Sequence, residues 1–181
     1  DLARMCGVPD KVADLTFEQL RTHKLLATDL LIPHLWEVIE LVDGKSPLII
    51  ELKTGRRNDA LCQAAWKILR TYDGDICIES FDPRIVRWFK KNVPGLLRGQ
   101  LTAPPKALGM GILGFLVGNC LGNFLARPGF IACRKGKRPF LIKLAQRFCM
   151  SVVYTARPED DTSQLELDYD AVIFEVYEPE A

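Results

Sequence analysis

The amino-acid sequence predicts an α/β protein of the (β/α)8, or TIM-barrel, type, of which about six βα units are present. From Pro47 onward, short β-branched runs alternate with helix-like segments, which implies parallel strands joined by right-handed crossovers. The centres of these runs lie roughly 19 to 32 residues apart, the spacing of βα units rather than of a β-sandwich. The alternative is an open doubly wound sheet, but no glycine-rich phosphate loop follows any of the runs. The sequence therefore favours an incomplete barrel.

The predicted elements can be placed along the chain by their apolar periodicity. The strands are expected at 47–53, 76–81, 97–101, 129–133, 151–155 and 170–174. Helices are expected between them at 58–72, 83–92, 107–126, 138–149 and 159–166. A complete barrel needs eight strands and typically about 250 residues, whereas this chain has 181. We therefore expect the first two strands of the barrel to be missing, with their residues lying before Asp1.

Two further helices are predicted ahead of the first strand. Thr16 and Gln19 have the spacing of a capping box, so a helix should start at Thr16 and end near His23. A second helix should follow Ile32, with Pro33 in its first turn and Gly44 after its end.

The composition is that of a soluble globular protein in a single domain spanning residues 1–181. A net charge of +1 argues against a nucleic-acid-binding surface. The six cysteines form no C-x-x-C pair, so they are interpreted as reduced thiols, which favours the cytoplasm.

The first predicted strand, 47–53, carries an acid and a base two positions apart. Residues i and i+2 share one face of a strand, so Glu51 and Lys53 point the same way and Leu48, Ile50 and Leu52 point the other. In a barrel the carboxyl ends of the strands form the catalytic mouth. A solvent-facing Glu–Lys pair on an ordinary amphipathic strand is the alternative.

Further polar motifs follow at the ends of the later strands, and together the series resembles the glycerophosphodiester phosphodiesterase family. The match runs in order over nearly all of the chain. Its pieces are RMCG, an IP before a helix, E-x-K, ESFDP, RGQL, FIA, a V-x-aromatic-T strand and YDAVIFE. The E-x-K followed by S-F-D-P and R-G-Q-L is the most specific part.

The resemblance implies a (β/α)8 barrel that hydrolyses glycerophosphodiesters to an alcohol and sn-glycerol 3-phosphate with a divalent cation, Ca²⁺ or Mg²⁺. On this resemblance Glu51 is a metal ligand and Lys53 is the catalytic lysine that stabilises phosphoryl charge. Both roles suit the residue types, since hard cations prefer carboxylate oxygen and an ammonium neutralises a developing oxyanion. Phe81 and Tyr154 match the positions that shape the glycerol-binding wall, with Tyr154 standing where the family usually has Trp.

The resemblance also implies groups that this sequence lacks. The family has a His-Arg pair on its first strand, a Glu-x-Asp metal pair on its second, and a catalytic His-Asp in the loop that follows. The segment at Asp1 looks like the one just after that His-Asp. Most of the metal ligands are therefore expected upstream, and neither His23 nor His34 is expected to be catalytic. We expect an N-terminally truncated enzyme that is inactive as this fragment alone.

Three more residues are candidates for phosphate contact or for support of the site. Arg56 follows the E-x-K strand on the mouth side. Arg98 is expected to share the barrel interior with Gln100, where it would need an acidic partner such as Glu79 or Glu51. Glu175 ends the last strand, where the family has an acidic residue.

Residues 107–126 form a charge-free run that is expected to be an apolar helix near the barrel mouth, either buried or touching a membrane surface. Two missing strands would also leave open sheet edges, which favour self-association. The alternative to a phosphodiesterase is a non-catalytic barrel remnant that binds a lipid or a partner protein. The third hypothesis, an unrelated open α/β domain, fails if Glu51 and Lys53 share a cleft with Phe81 and Tyr154.

Overall fold

The computed structural model describes residues 1–103 and 126–176. The chain divides into two compact units. The first unit comprises Asp1–Pro47 and Ala64–Asp75, and the second comprises Leu48–Gln63 and Ile76–Ala181. The six strands described below all belong to the second unit.

The strands form one parallel sheet in which each strand lies beside its neighbours in sequence. Their bounds are β1 Leu48–Glu51, β2 Ile76–Ser80, β3 Leu97–Thr102, β4 Phe130–Arg134, β5 Met150–Ala156 and β6 Ala171–Phe174. A doubly wound sheet reverses its strand order at a switch point, and this sheet does not. The predicted fold class, an incomplete TIM barrel of six strands, is confirmed.

Seven α-helices are present in the described part of the chain. They are α1 Ala3–Cys6, α2 Phe17–Leu20, α3 Leu35–Val42, α4 Asn58–Leu69, α5 Pro83–Asn92, α6 Phe140–Ala145 and α7 Thr162–Asp168. Two 3₁₀ turns add Val12–Asp14 and Gln146–Phe148. Helices α4 to α7 fall in the predicted intervals between strands, while the interval 107–126 lies almost wholly outside the described residues.

The capping box at Thr16 is confirmed, but α2 is shorter than predicted. The hydroxyl of Thr16 accepts a hydrogen bond from the backbone N–H of Gln19, whose side chain accepts one from the backbone N–H of Thr16. The backbone N–H groups of Thr22 and His23 then bond three residues back rather than four. This 3₁₀-type tightening ends the helix at Leu20 instead of near His23.

The start of α3 was predicted too early in the chain. Pro33 was expected in the first turn, but the helix begins at Leu35 and Pro33 lies ahead of it. His34 is the N-cap: its Nδ1 accepts a hydrogen bond from the backbone N–H of Trp36 at 3.2 Å, and the carboxylate of Glu37 accepts one from the backbone N–H of His34. A histidine that caps a helix occupies a structural role that the sequence pattern did not indicate.

The two faces of the sheet pack differently. The outer face carries Ile131, Cys133 and Val153, which pack with Ile142 of α6 and with Tyr169. The opposite, inner face carries a cluster formed by Cys77, Leu101, Phe130, Ala132 and Val152, with Phe81, Tyr154, Ala171 and Ile173 against it. Because parallel strands in register point equivalent side chains the same way, every residue level with these belongs to the inner face.

At the ends of the sheet, β1 and β6 each pair with one strand among the described residues. Their outer backbone edges are the ones that a second copy of the chain could extend. No helix in the described ranges is long and apolar enough to cross a membrane.

Gly99 gives a direct test of the packing on the inner face. A Cβ at this position would lie 2.0 Å from one ring atom of Phe130 and 2.1 Å from another, and Phe130 is only 4% exposed. We predict that Gly99→Ala lowers the free energy of unfolding by about 1–3 kcal/mol, because the buried ring must leave its position. Urea denaturation measures the change. Gly95→Ala is the control, since no heavy atom lies within 4 Å of a Cβ there; equal midpoints for the two variants would contradict the packing.

Candidate active site

Two glutamates lie side by side at the carboxyl ends of β1 and β2. Glu51 is the register partner of Glu79, so the two backbones are about 4.8 Å apart and the two side chains project from the inner face. Glu79 is 8% exposed. Its Oε2 is buried without a hydrogen-bond partner in the described structure, and Oε1 of Glu51 is buried as well. The sequence pattern indicated Glu51 as a site residue and Glu79 only as a counter-ion for Arg98.

The environment of Glu79 disfavours its ionised form. Burial raises the pKa of Glu79 to about 7, the charge of Glu51 adds to the shift, and the charge of Lys53 partly opposes it. An unpartnered carboxylate beside a second carboxylate is stabilised by a proton or by a cation. This is the one place in the described chain where both conditions, burial and a neighbouring acid, act on a glutamate.

Lys53 lies just past β1, with its Nζ 2.6 Å from Oε1 of Glu51. Its side chain is 77% exposed, whereas that of Glu51 is 29% exposed. The pair predicted from the sequence therefore exists. Its carboxylate is partly buried and its ammonium group is exposed to solvent. An exposed lysine is held weakly, so the ammonium can leave Glu51 for another anion at small cost.

An aromatic wall stands on the same face. The rings of Phe81 and Tyr154 meet edge to face with their centroids 6.4 Å apart, and the Tyr154 hydroxyl donates to the carbonyl of Thr102 at 2.8 Å. Burial raises the pKa of Tyr154 far above its usual range, and the charges of Glu51 and Glu79 add to the shift. The two carboxylates and the two rings therefore share the inner face.

Asp82 is a structural partner of the site that the sequence analysis missed. It caps α5 by accepting from the backbone N–H of Arg84 at 2.9 Å. It also accepts from the hydroxyl of Thr54 at 2.7 Å and from the amide of Asn58 at 2.9 Å. Thr54 and Asn58 belong to the loop that follows Lys53, so Asp82 fixes that loop. The Asp-Pro pair, with Pro83 at the first helical position, is a capping signal that could have indicated it.

Arg56 lies in the same loop and is exposed. With Arg57, Asn58 and Arg84 it lines an open cavity of about 450 Å³ on the surface. Arg56 thus lies on the loop that follows Lys53, and its contact with a phosphate stays a prediction.

Arg98 and Gln100 lie on the outer face, so the predicted interior position of this pair is wrong. Arg98 is level with Ile78, and its guanidinium donates to the backbone carbonyls of Pro94, Leu96 and Arg127. Gln100 donates to the carbonyls of Ser80, Phe81 and Leu101. These polar side chains satisfy backbone carbonyls instead of pairing with Glu79 or Glu51.

Glu175 follows β6 and forms an ion pair with Arg157 at 2.6 Å, in which both side chains are about half exposed. Its contacts within the described residues are this pair and the bond from its backbone N–H to the carbonyl of Ala156. A supporting role for Glu175 at the site stays a prediction.

The carboxylate pair fits a divalent cation, because both side chains present a buried oxygen and that of Glu79 lacks a hydrogen-bond donor, while that of Glu51 meets only the exposed ammonium of Lys53. Ranges 1–103 and 126–176 contain no group of three or more His, Cys, Asp or Glu side chains placed to hold a metal ion. Glu51 and Glu79 could therefore supply two protein ligands, with water or further groups completing the coordination of a hard cation.

The fold is that of an incomplete α/β barrel, with polar side chains at the carboxyl ends of β1 and β2. No protein-family model matches the sequence, and no curated protein sequence matches it. Solved structures do match. A candidate glycerophosphodiester phosphodiesterase from Galdieria sulphuraria has a TM-score of 0.68 and 16% identity, over 96% of this chain and 73% of that one.

A candidate glycerophosphoryl diester phosphodiesterase from Silicibacter pomeroyi matches with a TM-score of 0.66 and 16% identity, over 91% of this chain. A phosphodiesterase from Oleispira antarctica, in complex with the product sn-glycerol-3-phosphate, matches with a TM-score of 0.59 and 19% sequence identity over 80% of this chain. The chain spans 66% of the length of the first of these and 57% of the second. The family resemblance indicated by the motifs is thus confirmed at the level of the fold.

The Asp82 network predicts an acid-sensitive contribution to stability. Burial alone would raise the pKa of Asp82, but hydrogen bonds from Arg84 and Thr54 outweigh it and lower the pKa to about 2. A carboxyl whose pKa is lowered by folding stabilises the fold above its unfolded pKa of about 4, and this contribution is lost as the pH falls towards 2.

We predict that Asp82→Asn loses about 2 kcal/mol of unfolding free energy at pH 7 and much less at pH 2.5. Urea unfolding at the two pH values measures the difference from wild type. Asp75→Asn, an exposed aspartate in the loop before β2, is the control and should show no such pH dependence. A difference between wild type and Asp82→Asn that does not shrink in acid would contradict the network.

Proposed function

We propose that the chain derives from a glycerophosphodiester phosphodiesterase and that its inner-face site binds the phosphodiester group of a glycerophosphodiester. The observation that carries this proposal is the convergence of Glu51, Glu79 and Lys53 beside the Phe81–Tyr154 wall, at the carboxyl ends of barrel strands. The fold shared with phosphodiesterase structures, one of them in complex with sn-glycerol-3-phosphate, supports it.

The reaction is the addition of water across one P–O bond: the bond to the alcohol breaks, the alcohol takes a proton, and sn-glycerol 3-phosphate keeps the new P–O bond. A divalent cation held by Glu51, when bound, would supply Lewis-acid polarisation of the phosphoryl group. Lys53 neutralises charge that develops on a phosphoryl oxygen. The rings of Phe81 and Tyr154 offer an apolar surface for the glycerol carbons, and the buried Tyr154 hydroxyl stays protonated and bonded to Thr102.

The proposed hydrolysis also requires a residue that transfers a proton. The sequence has two histidines, and both belong to the first compact unit. His34 uses its Nδ1 to cap α3. The unit that carries Glu51 and Lys53 contains no histidine of its own, so the proposal assigns the acid–base role to no residue of that unit.

A non-catalytic barrel that binds a lipid or a partner protein is the second candidate. Exposed apolar side chains around α6 favour it. Phe140 is 75% exposed and Phe148 is 85% exposed. Such residues suit an apolar surface or a protein partner. The predicted contribution of 107–126 to a membrane contact falls outside the described residues.

Binding of sn-glycerol 3-phosphate tests the proposed phosphate site without requiring turnover. We predict that Lys53→Ala weakens this binding about tenfold or more, because a charge-assisted contact to phosphate is lost. Isothermal titration calorimetry in the presence of Ca²⁺ measures the affinity. Lys91→Ala, an exposed lysine on α5, is the matched control; equal affinities for the two variants would refute the role of Lys53.

Turnover separates the two candidate functions. We predict that the 181-residue chain alone releases no sn-glycerol 3-phosphate from glycerophosphocholine beyond that of the Lys53→Ala variant. Any coding sequence upstream of Asp1 can then be examined for the His-Arg and Glu-x-Asp motifs, and their presence should restore hydrolysis when included. If the chain alone hydrolyses glycerophosphocholine well above the rate of Lys53→Ala, the histidines of the upstream motifs are not needed.

A further inference from the structure

We propose that Glu79 is a second carboxylate ligand, with Glu51, for a hard divalent cation at the carboxyl ends of β1 and β2. The family resemblance assigns a metal-binding role to Glu51 and none to Glu79. The proposal rests on the proposed function for the role of the cation, but its evidence is the geometry of the two glutamates.

The register of β1 and β2 places the two glutamates side by side. Glu51 and Glu79 are Cα partners on adjacent parallel strands, so their side chains leave the sheet from neighbouring positions on the inner face. Each strand turns into its loop within two residues of the glutamate, which puts both carboxylates at the solvent end of that face.

One carboxylate oxygen of Glu79 lacks a hydrogen-bond donor. The residue is only 8% exposed, and its Oε2 is buried with no hydrogen-bond partner in the described structure. The next level position on β3 is Gly99, where the ring of Phe130 fills the space of a side chain. Among the described residues, the charged groups that act on Glu79 are Glu51 and Lys53, and the thiol of Cys77 and the hydroxyl of Tyr154 are near enough to feel its charge; Lys53 is the cation of this set.

Lys53 does not supply the missing hydrogen bond to Oε2 of Glu79. Its Nζ lies 2.6 Å from Oε1 of Glu51, and its side chain reaches out to solvent. One exposed ammonium therefore faces two carboxylates, and one buried oxygen remains unpaired. A buried acceptor without a donor is costly, so an additional cation is the natural complement of the pair.

Chemistry selects the kind of cation. Carboxylate oxygens are the preferred ligands of Ca²⁺, Mg²⁺ and Mn²⁺, which also keep water molecules in their coordination sphere. The pair itself supplies carboxylate oxygens only, with no imidazole or thiolate ligand. The site should therefore prefer these hard cations over Zn²⁺. Because a cation and Lys53 would compete for Oε1 of Glu51, cation binding also leaves the ammonium free to meet a phosphate.

Mn²⁺ binding to the 181-residue chain tests the proposal without any activity measurement. Titration followed by the electron paramagnetic resonance signal of free Mn²⁺ gives the affinity at pH 8. Glu79→Gln keeps the shape of the side chain and removes its charge. Loss of a supporting partner of a metal site costs about 10- to 100-fold in affinity, so Glu79→Gln and Glu51→Gln should each cost at least about tenfold. Glu40→Gln, an exposed glutamate on α3, should bind as wild type does.

The outcomes separate this inference from the proposed function. Unchanged affinity in Glu79→Gln, with loss in Glu51→Gln, overturns the role of Glu79 and leaves the phosphodiester site standing. Absence of any Mn²⁺ binding by the wild-type chain overturns the proposal as well. Loss in both variants without any binding of sn-glycerol 3-phosphate supports the cation pair and rejects the function. Circular dichroism of each variant checks that the fold is kept, and Glu79→Asp, which retains the charge, should lose less affinity than Glu79→Gln.

Discussion

The site depends on one backbone constraint, the in-register parallel pairing of β1 with β2. This pairing makes Glu51 and Glu79 level and sends both side chains to the inner face. A slip of one residue would turn one of them to the outer face, against the helices. The apolar cluster of Cys77, Leu101, Phe130, Ala132 and Val152 holds the inner face of β2 against β3, β4 and β5, and so keeps Glu79 on that face.

The second requirement is a rigid support for the loop after β1. Asp82 ties Thr54 and Asn58 to the start of α5 through hydrogen bonds of 2.7 and 2.9 Å. Lys53 stands immediately before this tied segment. The exposed ammonium can therefore change partners while its backbone stays in place, as the proposed contact of Lys53 with a phosphoryl group requires.

Much of the fold was predictable from the sequence, and the site only in part. The spacing of the strands predicted their parallel arrangement, and the two-residue spacing of Glu51 and Lys53 predicted that the two side chains lie together, as they do. Arg98 and Gln100 were placed on the wrong face because polar residues in a strand were taken to face the mouth. They instead satisfy backbone carbonyls on the outer face, an arrangement that depends on neighbouring strands. Glu79 was overlooked because its importance comes from its register with Glu51, which no single segment reveals.

The most direct measurement is a crystal structure of the chain grown with Mn²⁺ at pH 8, using the anomalous scattering of the metal. Our account requires an anomalous peak between the carboxylates of Glu51 and Glu79 on the inner face, with Phe81 and Tyr154 on the same side of the sheet. A peak bound elsewhere, or electron density that places Glu79 on the outer face, would contradict it.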